Sequence, residues 1–304
     1  MRPSSSLAID PGVRRRLTFR FGEGIGSWFD ALPSVLDALA ERWGLMLDST
    51  IPRGSVSVVI RCSTHESRDC VLKVSPDRAR VVREAAALEH WQTSHTPSVL
   101  AVDQNAGALL LESIVPGTPL DESAEYPALE RLGDLLTALH TTGVLDPSYP
   151  PVAQRVAYLF DASSRIYQRS PWVEQIVPMA VYERGRHLAA QLAEQPASTV
   201  FLHGDLTPSN ILSGGATRGL VAIDPAPCLG DPAFDAVDLL LWQADDVETV
   251  ASRAATLAPR MGVPADGMLE WCRAFAGMTA LELAESTTSA SGRMQWIAAL
   301  ADDA

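Results

Sequence analysis

The chain has 304 residues, 47% apolar and 20% charged, a balance that fits a soluble globular protein and excludes a disordered or fibrous one. Its 24 basic and 37 acidic side chains leave a net charge of −13, which disfavours nucleic acid and anionic membrane as partners and attracts cations. No run approaches the ~18 apolar residues that span a bilayer, and Arg14-Arg15-Arg16 precedes no signal-type apolar core, so a cytoplasmic protein is expected.

Residues 1–22 read as an irregular arm. From Ile25 to Trp43 the apolar positions Trp28, Phe29, Leu32, Leu36, Leu39 and Trp43 recur at helical spacing, with Pro33 in an early turn and Gly44 as the stop. Val56, Val58 and Ile60 then alternate as a strand. Ser63–Ser67 turn the chain, and Cys70-Val71-Leu72-Lys73-Val74 returns. A helix follows over Arg80–Trp91, and a strand pair over Ser98–Val102 and Ala108–Leu111. This order gives an N-lobe over residues 1–112, a five-stranded sheet plus helices. Val115-Pro116-Gly117-Thr118-Pro119 is a natural linker into a mostly helical C-lobe over residues 113–304. Its helices are expected at Ala128–Thr142, Val152–Ser170, Glu174–Glu194, Pro232–Leu241, Asp246–Ala258 and Gly267–Ser286. Two short strands, Thr199–Leu202 and Leu220–Ile223, interrupt them.

Cys62, Cys70, Cys228 and Cys272 lack the paired short spacing of a zinc site and read as reduced thiols, with Cys62 and Cys70 facing each other across a hairpin as the alternative. Against its many arginines the chain holds a single lysine, Lys73. A lysine retained under such a bias marks a place where a compact ammonium serves and a guanidinium does not fit; the alternative is chance retention on the surface.

The chemistry concentrates in His203-Gly204-Asp205-Leu206-Thr207-Pro208-Ser209-Asn210. This segment leaves an apolar strand for a loop, and Asp224 ends the second strand fourteen residues after Asn210. Two strand ends thus deliver Asp205, Asn210 and Asp224 to one place. Phosphoryl transfer asks for that inventory: one carboxylate to receive a hydroxyl's proton, and an amide and a second carboxylate to hold magnesium on phosphates. The D-x-x-x-x-N spacing matches the kinase catalytic loop, with Asp224 in place of the metal-binding Asp. Magnesium prefers oxygen ligands and keeps several waters, so two protein ligands suffice. Lys73 on its strand and Glu84, eleven residues later in the next helix, fit a phosphate clamp.

HGDLTPSNIL followed by VAIDPAPCLGDPAFDAVDLLLW resembles the aminoglycoside phosphotransferase family, and within it the streptomycin 6-kinase (aminoglycoside/hydroxyurea antibiotic resistance kinase) group. The N-terminal SWFDALPSVLDALAERWGL is similar to that group too, so the likeness covers nearly the whole chain. The resemblance implies an α+β, two-lobed protein-kinase-like fold with a small β-rich N-lobe and a larger, mostly helical C-lobe. It implies an ATP- and Mg2+-dependent kinase acting on a hydroxyl of an aminoglycoside, most of all streptomycin, in resistance or self-protection. Asp205 would then be the catalytic base, Asn210 and Asp224 the magnesium ligands, and Lys73 with Glu84 the phosphate clamp. The backbone of Glu112 and Ile114 would meet adenine, and Asp235 would brace the catalytic loop.

Two departures from the kinase pattern stand out. Arg53-Gly54-Ser55-Val56-Ser57 holds one glycine where protein kinases have a Gly-rich loop, which leaves Ser55 and Ser57 as candidate phosphate contacts. Pro225-Ala226 replaces Phe-Gly after Asp224, and a fixed backbone there argues for a constitutively formed metal site.

His203 reads as a packed support of the loop, and the other five histidines need no functional explanation. Asp231 and Asp238 read as caps or structural acceptors. Trp242 and Trp271 read as core, with stacking on a substrate guanidinium as the alternative. Glu282 and Glu285 could line a cation pocket, though a solvated helical face suits at least one of them. Expected partners are a cationic small-molecule acceptor, with no nucleic acid or membrane, and the chain is expected to be a monomer. The rival readings are a kinase of another hydroxylated metabolite such as an amino sugar, a metal-dependent hydrolase built on His203, Asp205 and Asp224, and a catalytically dead binding module. The last two leave Lys73 and Glu84, or the intact loop, unexplained.

Overall fold

A computed structural model describes residues 7–91, 93–285 and 291–302. They form two compact units. The first comprises the chain up to Glu89 together with Thr96–Gly117; the second comprises His90–His95 and the chain from Thr118 onward. The first unit therefore runs past Glu112 to Gly117, and a short segment after its last helix packs with the second.

The first unit opens with α1 (Pro11–Phe21), where the sequence suggested an arm. The Asp10 carboxylate accepts from the N–H groups of Gly12 and Val13 at 2.8 and 3.1 Å, Pro11 stands at the first position, and Val13 and Leu17 are buried. Two apolar positions four apart make too narrow a stripe to register among Arg14, Arg15 and Arg16. In α2 (Gly26–Trp43), Phe29, Leu32, Leu36 and Leu39 are buried, and Gly44 ends the helix in the left-handed conformation at φ 61°. Pro33 sits in the third turn rather than the first, and the helix continues through it.

The sheet comprises β1 (Leu45–Ile51), β2 (Val58–Thr64), β3 (Asp69–Val74), β4 (Val99–Asp103) and β5 (Ala108–Glu112). It is antiparallel in the order β1-β2-β3-β5-β4. The alternation had located four of these strands. The fifth, β1, was obscured because its register shifts between Leu47 and Ser49 and its second half is polar. The core lies where α1 and α2 meet the sheet residues Ile60, Leu72, Val74 and Leu110. Cys62 pairs with Cys70 across β2 and β3, their Sγ atoms 3.2 Å apart in the reduced state. Helix α3 (Arg78–His90) follows β3.

The second unit is mostly helical: α4 (Leu129–Thr142), α5 (Val152–Ser163), α6 (Arg165–Arg169), α7 (Met179–Glu194), α8 (Gly215–Arg218), α9 (Val237–Leu241), α10 (Val247–Met261), α11 (Ala265–Glu285) and α12 (Gly292–Asp302). Helix α11 is the axis, packed by α7, α10 and α12, with Trp271 and Phe275 buried against Phe234. The single helix expected over Val152–Ser170 breaks at Ser164, where the hydroxyls of Ser163 and Ser164 bond to the carbonyls of Leu159 and Asp161. Pro178 likewise delays α7 to Met179. The helix expected to end at Ser286 is described to Glu285; Ser286 lies outside the described residues.

Short strands β6 (Val200–Leu202), β7 (Ile211–Ser213), β8 (Leu220–Ala222) and β9 (Cys228–Gly230) form two separate ribbons, β6 with β9 and β7 with β8. The two strands read from the sequence do not pair with each other. Each has its own partner, and those partners were too short to show a pattern.

Candidate active site

The HGD turn is held from below. Gly204 has φ 74°, and a Cβ there would lie 2.1 Å from the Ala226 carbonyl oxygen, so only glycine lets the loop pass. Buried Asp235 accepts from the N–H of His203 (2.8 Å), the N–H of Gly204 (2.9 Å) and His140 Nε2 (3.1 Å). Burial alone would raise its pKa; the His140 hydrogen bond and charge, the His203 ring and the Gly204 N–H outweigh this and hold the carboxyl below its usual range. His140 thus acquires a structural role that the sequence did not suggest.

His203 is fully buried, with its ring stacked on Trp91. Its Nε2–H donates to the Ile223 carbonyl at 3.0 Å and Nδ1 accepts from the Asp205 N–H at 3.3 Å. Both ring nitrogens are engaged with the main chain, and burial lowers its pKa, so it is a neutral support and no metal ligand. The hydrolase reading loses its histidine here.

Replacing Asp235 with Ala leaves three donors without their acceptor, two of them buried main-chain N–H groups. We expect a loss of roughly 3 kcal/mol of stability, read from the denaturant midpoint, together with most activity.

Asp205, Asn210 and Asp224 come together through main-chain bonds. Ile223 N–H donates to the Asn210 carbonyl (2.9 Å), and Ala226 N–H to the His203 carbonyl (2.9 Å). The Asn210 amide donates to the Asp205 carbonyl at 2.9 Å and to Asp205 Oδ2 at 3.3 Å, which leaves its Oδ1, a hard oxygen, as the atom for a metal. Asp224 holds a left-handed backbone, φ 60°, immediately before Pro225. A non-glycine residue in this region is uncommon, and here it stands at a candidate metal ligand. Among the described residues no cluster of three or more His, Cys, Asp or Glu is set for a metal. The donor set is one amide oxygen and one carboxylate, which suits magnesium that keeps waters and phosphate oxygens.

Asp205 also faces a cavity of about 110 Å³ whose lining includes Thr207, Phe234, Asp238, Phe275 and Glu282. Asp238 has no hydrogen-bonding side-chain partner among the described residues, in contrast to the structural role expected of it. Burial, then the charge of Asp205, push its carboxyl up to about 7, against the pull of Arg155. Glu282 opens to solvent. Desolvation by the surrounding protein, then the charges of Asp238, Asp205 and Glu285, push it up to about 8. Glu285 is exposed and paired with Arg169 at 2.5 Å, a solvated face as expected of at least one of the two glutamates. Asp231 caps the turn before α9 by accepting from the Ala233 N–H, and Trp271 is core. Trp242 packs against Tyr126.

Arg155, in the first turn of α5, was not anticipated. Its Nε donates to the Gly204 carbonyl and its Nη2 to Asp205 Oδ1, each at 2.7 Å. An arginine fifty residues upstream carries no local signal of this contact.

In the first unit, Lys73 and Glu84 form a buried ion pair, each about 4% exposed at the side chain. Strand β3 supplies the ammonium and α3 the carboxylate. Of the two serines in the β1–β2 loop, Ser55 is exposed. Ser57 is buried, and its hydroxyl has no hydrogen-bond partner among the described residues. Arg16 of α1 donates to the Pro52 and Gly54 carbonyls of this loop at 2.8 and 3.0 Å. Glu112 ends β5. Its N–H donates to the Ser98 carbonyl and its carboxylate accepts from Ser98, so a base would meet its carbonyl. Ile114 follows with its side chain buried.

Residues 42–286 match the sequence model of the family described as aminoglycoside/hydroxyurea antibiotic resistance kinase. The streptomycin 6-kinase of Streptomyces griseus is 26% identical over 250 residues, 81% of this chain and 77% of that protein. The hydroxyurea phosphotransferase of Kitasatospora aureofaciens is 28% identical over 242 residues, 76% of this chain and 67% of that protein. The crystal structure of choline kinase LicA from Streptococcus pneumoniae aligns with a TM-score of 0.60 at 14% identity, covering 89% of this chain and 98% of that one. That likeness shows a shared two-lobed, kinase-like α+β fold.

Proposed function

The chain belongs to the aminoglycoside/hydroxyurea antibiotic resistance kinase family and is a small-molecule kinase; from that premise we propose that it phosphorylates a hydroxyl of a cationic aminoglycoside, streptomycin above all, using ATP and magnesium in the cytoplasm. The observation that carries the choice of acceptor is the acidic cavity. Four carboxylates line it, Asp205, Asp235, Asp238 and Glu282; Asp235 is taken up by the loop, and neither Asp238 nor Glu282 has an ion-pair partner among the described residues. At about 110 Å³ it is smaller than the roughly 300–1,000 Å³ that houses a whole ligand. It suits one charged arm, such as a guanidinium, with the rest of the acceptor outside. Hydroxyurea is neutral and would gain nothing from those charges.

Magnesium supplies charge neutralisation of the phosphates. The residues of this chain do the rest. Asn210 Oδ1 and the Asp224 carboxylate would hold the metal, and the Lys73 ammonium, paired with Glu84, would take phosphate oxygens. Main-chain groups of Glu112 and Ile114 meet the adenine. Of the two candidate phosphate contacts, Ser55 is at the surface and Ser57 is enclosed. Asp205 accepts the proton of the attacking hydroxyl through the oxygen facing the cavity.

The test is a magnesium-dependent ATP-consumption screen over streptomycin, other aminoglycosides, amino sugars and hydroxyurea, with mass detection of the phosphorylated product. Turnover with streptomycin is expected. Turnover with hydroxyurea alone would remove the cationic acceptor and keep the kinase.

The cavity also predicts a pH dependence. Burial and the neighbouring carboxylates push Asp238 up to about 7 and raise Glu282, while a guanidinium stays charged throughout. The acceptor KM should therefore fall as pH rises from 6 to 9. Glu282→Gln and Asp238→Asn should each raise that KM by about 10-fold or more, the worth of a charge-assisted hydrogen bond, with a smaller change in kcat. Steady-state kinetics across that range check both statements.

A further inference from the structure

We propose that Arg155 is a positioning residue for the phosphotransfer, acting through Asp205. The inference rests on the reading of Asp205 as the residue that receives the hydroxyl. An aspartate at a loop tip has two side-chain torsions, and both must be fixed if one oxygen is to face the acceptor. The loop itself supplies little towards this. The Asp205 N–H is taken by His203, and Asn210 reaches Oδ2 only at 3.3 Å. The short contact to the carboxylate is the one from Arg155, at 2.7 Å to Oδ1.

The guanidinium is a planar fork, and its second bond, Nε to the Gly204 carbonyl, ties the same side chain to the backbone one residue earlier. Two parallel tethers fix the carboxylate against the peptide plane, which a single donor could not do. The root of the fork is firm as well. Leu229 N–H donates to the Pro150 carbonyl at 2.9 Å, and Val152 packs where a Cβ on Gly230 would sit, so α5 begins on β9. Strand β9 pairs with β6, which leads directly into His203-Gly204-Asp205. Arginine and aspartate thus rise from one ribbon. With Oδ1 occupied, Oδ2 is the oxygen left for the substrate hydroxyl.

Arg155→Met, Arg155→Lys, Asp205→Asn and the double variant Arg155→Met/Asp205→Asn test this, read as kcat with saturating ATP and streptomycin. Arg155→Met should lower kcat about 10- to 100-fold, the scale of a misplaced catalytic group, and change the ATP KM less than about twofold. Lysine, with one donor in place of two, should restore part of the loss. In the Asp205→Asn background Arg155→Met should cost almost nothing further, because its effect passes through the carboxylate. A wild-type kcat for Arg155→Met overturns the proposal, and so does an equal loss in both backgrounds. If Asp205→Asn keeps full turnover, the reading of Asp205 fails. If the wild-type protein is inert with streptomycin, the acceptor reading fails, and crystals of Arg155→Met and wild type decide Arg155 separately. A carboxylate turned from its wild-type rotamer supports positioning; an unmoved one overturns it.

Discussion

Asp205→Asn should lower kcat by about 10²–10⁴-fold, the range for losing a positioned proton acceptor, while MgATP still binds with nearly unchanged affinity. Asparagine keeps the shape and can still meet Arg155 Nη2 through its carbonyl oxygen. It offers no base, and its amide turns a donor toward either the substrate hydroxyl or Asn210. The scaffold beneath does not depend on the carboxylate, because the loop is held by Asp235 and His203. Stability should therefore change little. Rapid-quench measurement of product and calorimetric titration of MgATP separate the two effects. Loss of nucleotide binding in this variant would show that Asp205 belongs to the metal site instead.

Lys73→Met should be comparably severe, for two separable reasons. The ammonium is the chain's one lysine and lies buried against Glu84. Removing it takes away a preorganised positive charge, a loss we place at about 10²–10³-fold in kcat/KM. It also leaves Glu84 buried without its partner, which costs roughly 3–5 kcal/mol of stability. The double variant Lys73→Met/Glu84→Met removes both charges and should recover most of the denaturant midpoint. It should recover none of the turnover. Activity that returned with the folding would mean that the pair braces β3 against α3 and has no part in handling phosphate.

Much of this was legible along the chain because it depends on neighbours in sequence. The proposed catalytic loop shows in the spacing of Asp205 and Asn210, and the ion pair in a strand and a helix that place Lys73 and Glu84 eleven residues apart. A helix such as α2 shows its buried face at 3.6-residue intervals and its end at Gly44. Where local signals were weak, the reading failed. α1 has two buried apolar positions and a capping aspartate, β1 carries a bulge, and β7 and β9 are three residues long.

Most helices and strands and the proposed phosphoryl-transfer residues could be read along the chain, because they rest on hydrophobic period and short motifs, and those motifs carried the resemblance to the family. Long-range packing sets what surrounds them. It placed Arg155 of α5 on Asp205, His140 of α4 on Asp235, and Asp238 and Glu282 in the cavity that Asp205 faces. It also enclosed Ser57 while leaving Ser55 at the surface. These contacts join residues tens of positions apart through packing of ribbons and helices, and charge acts across space with no regard for order in the chain.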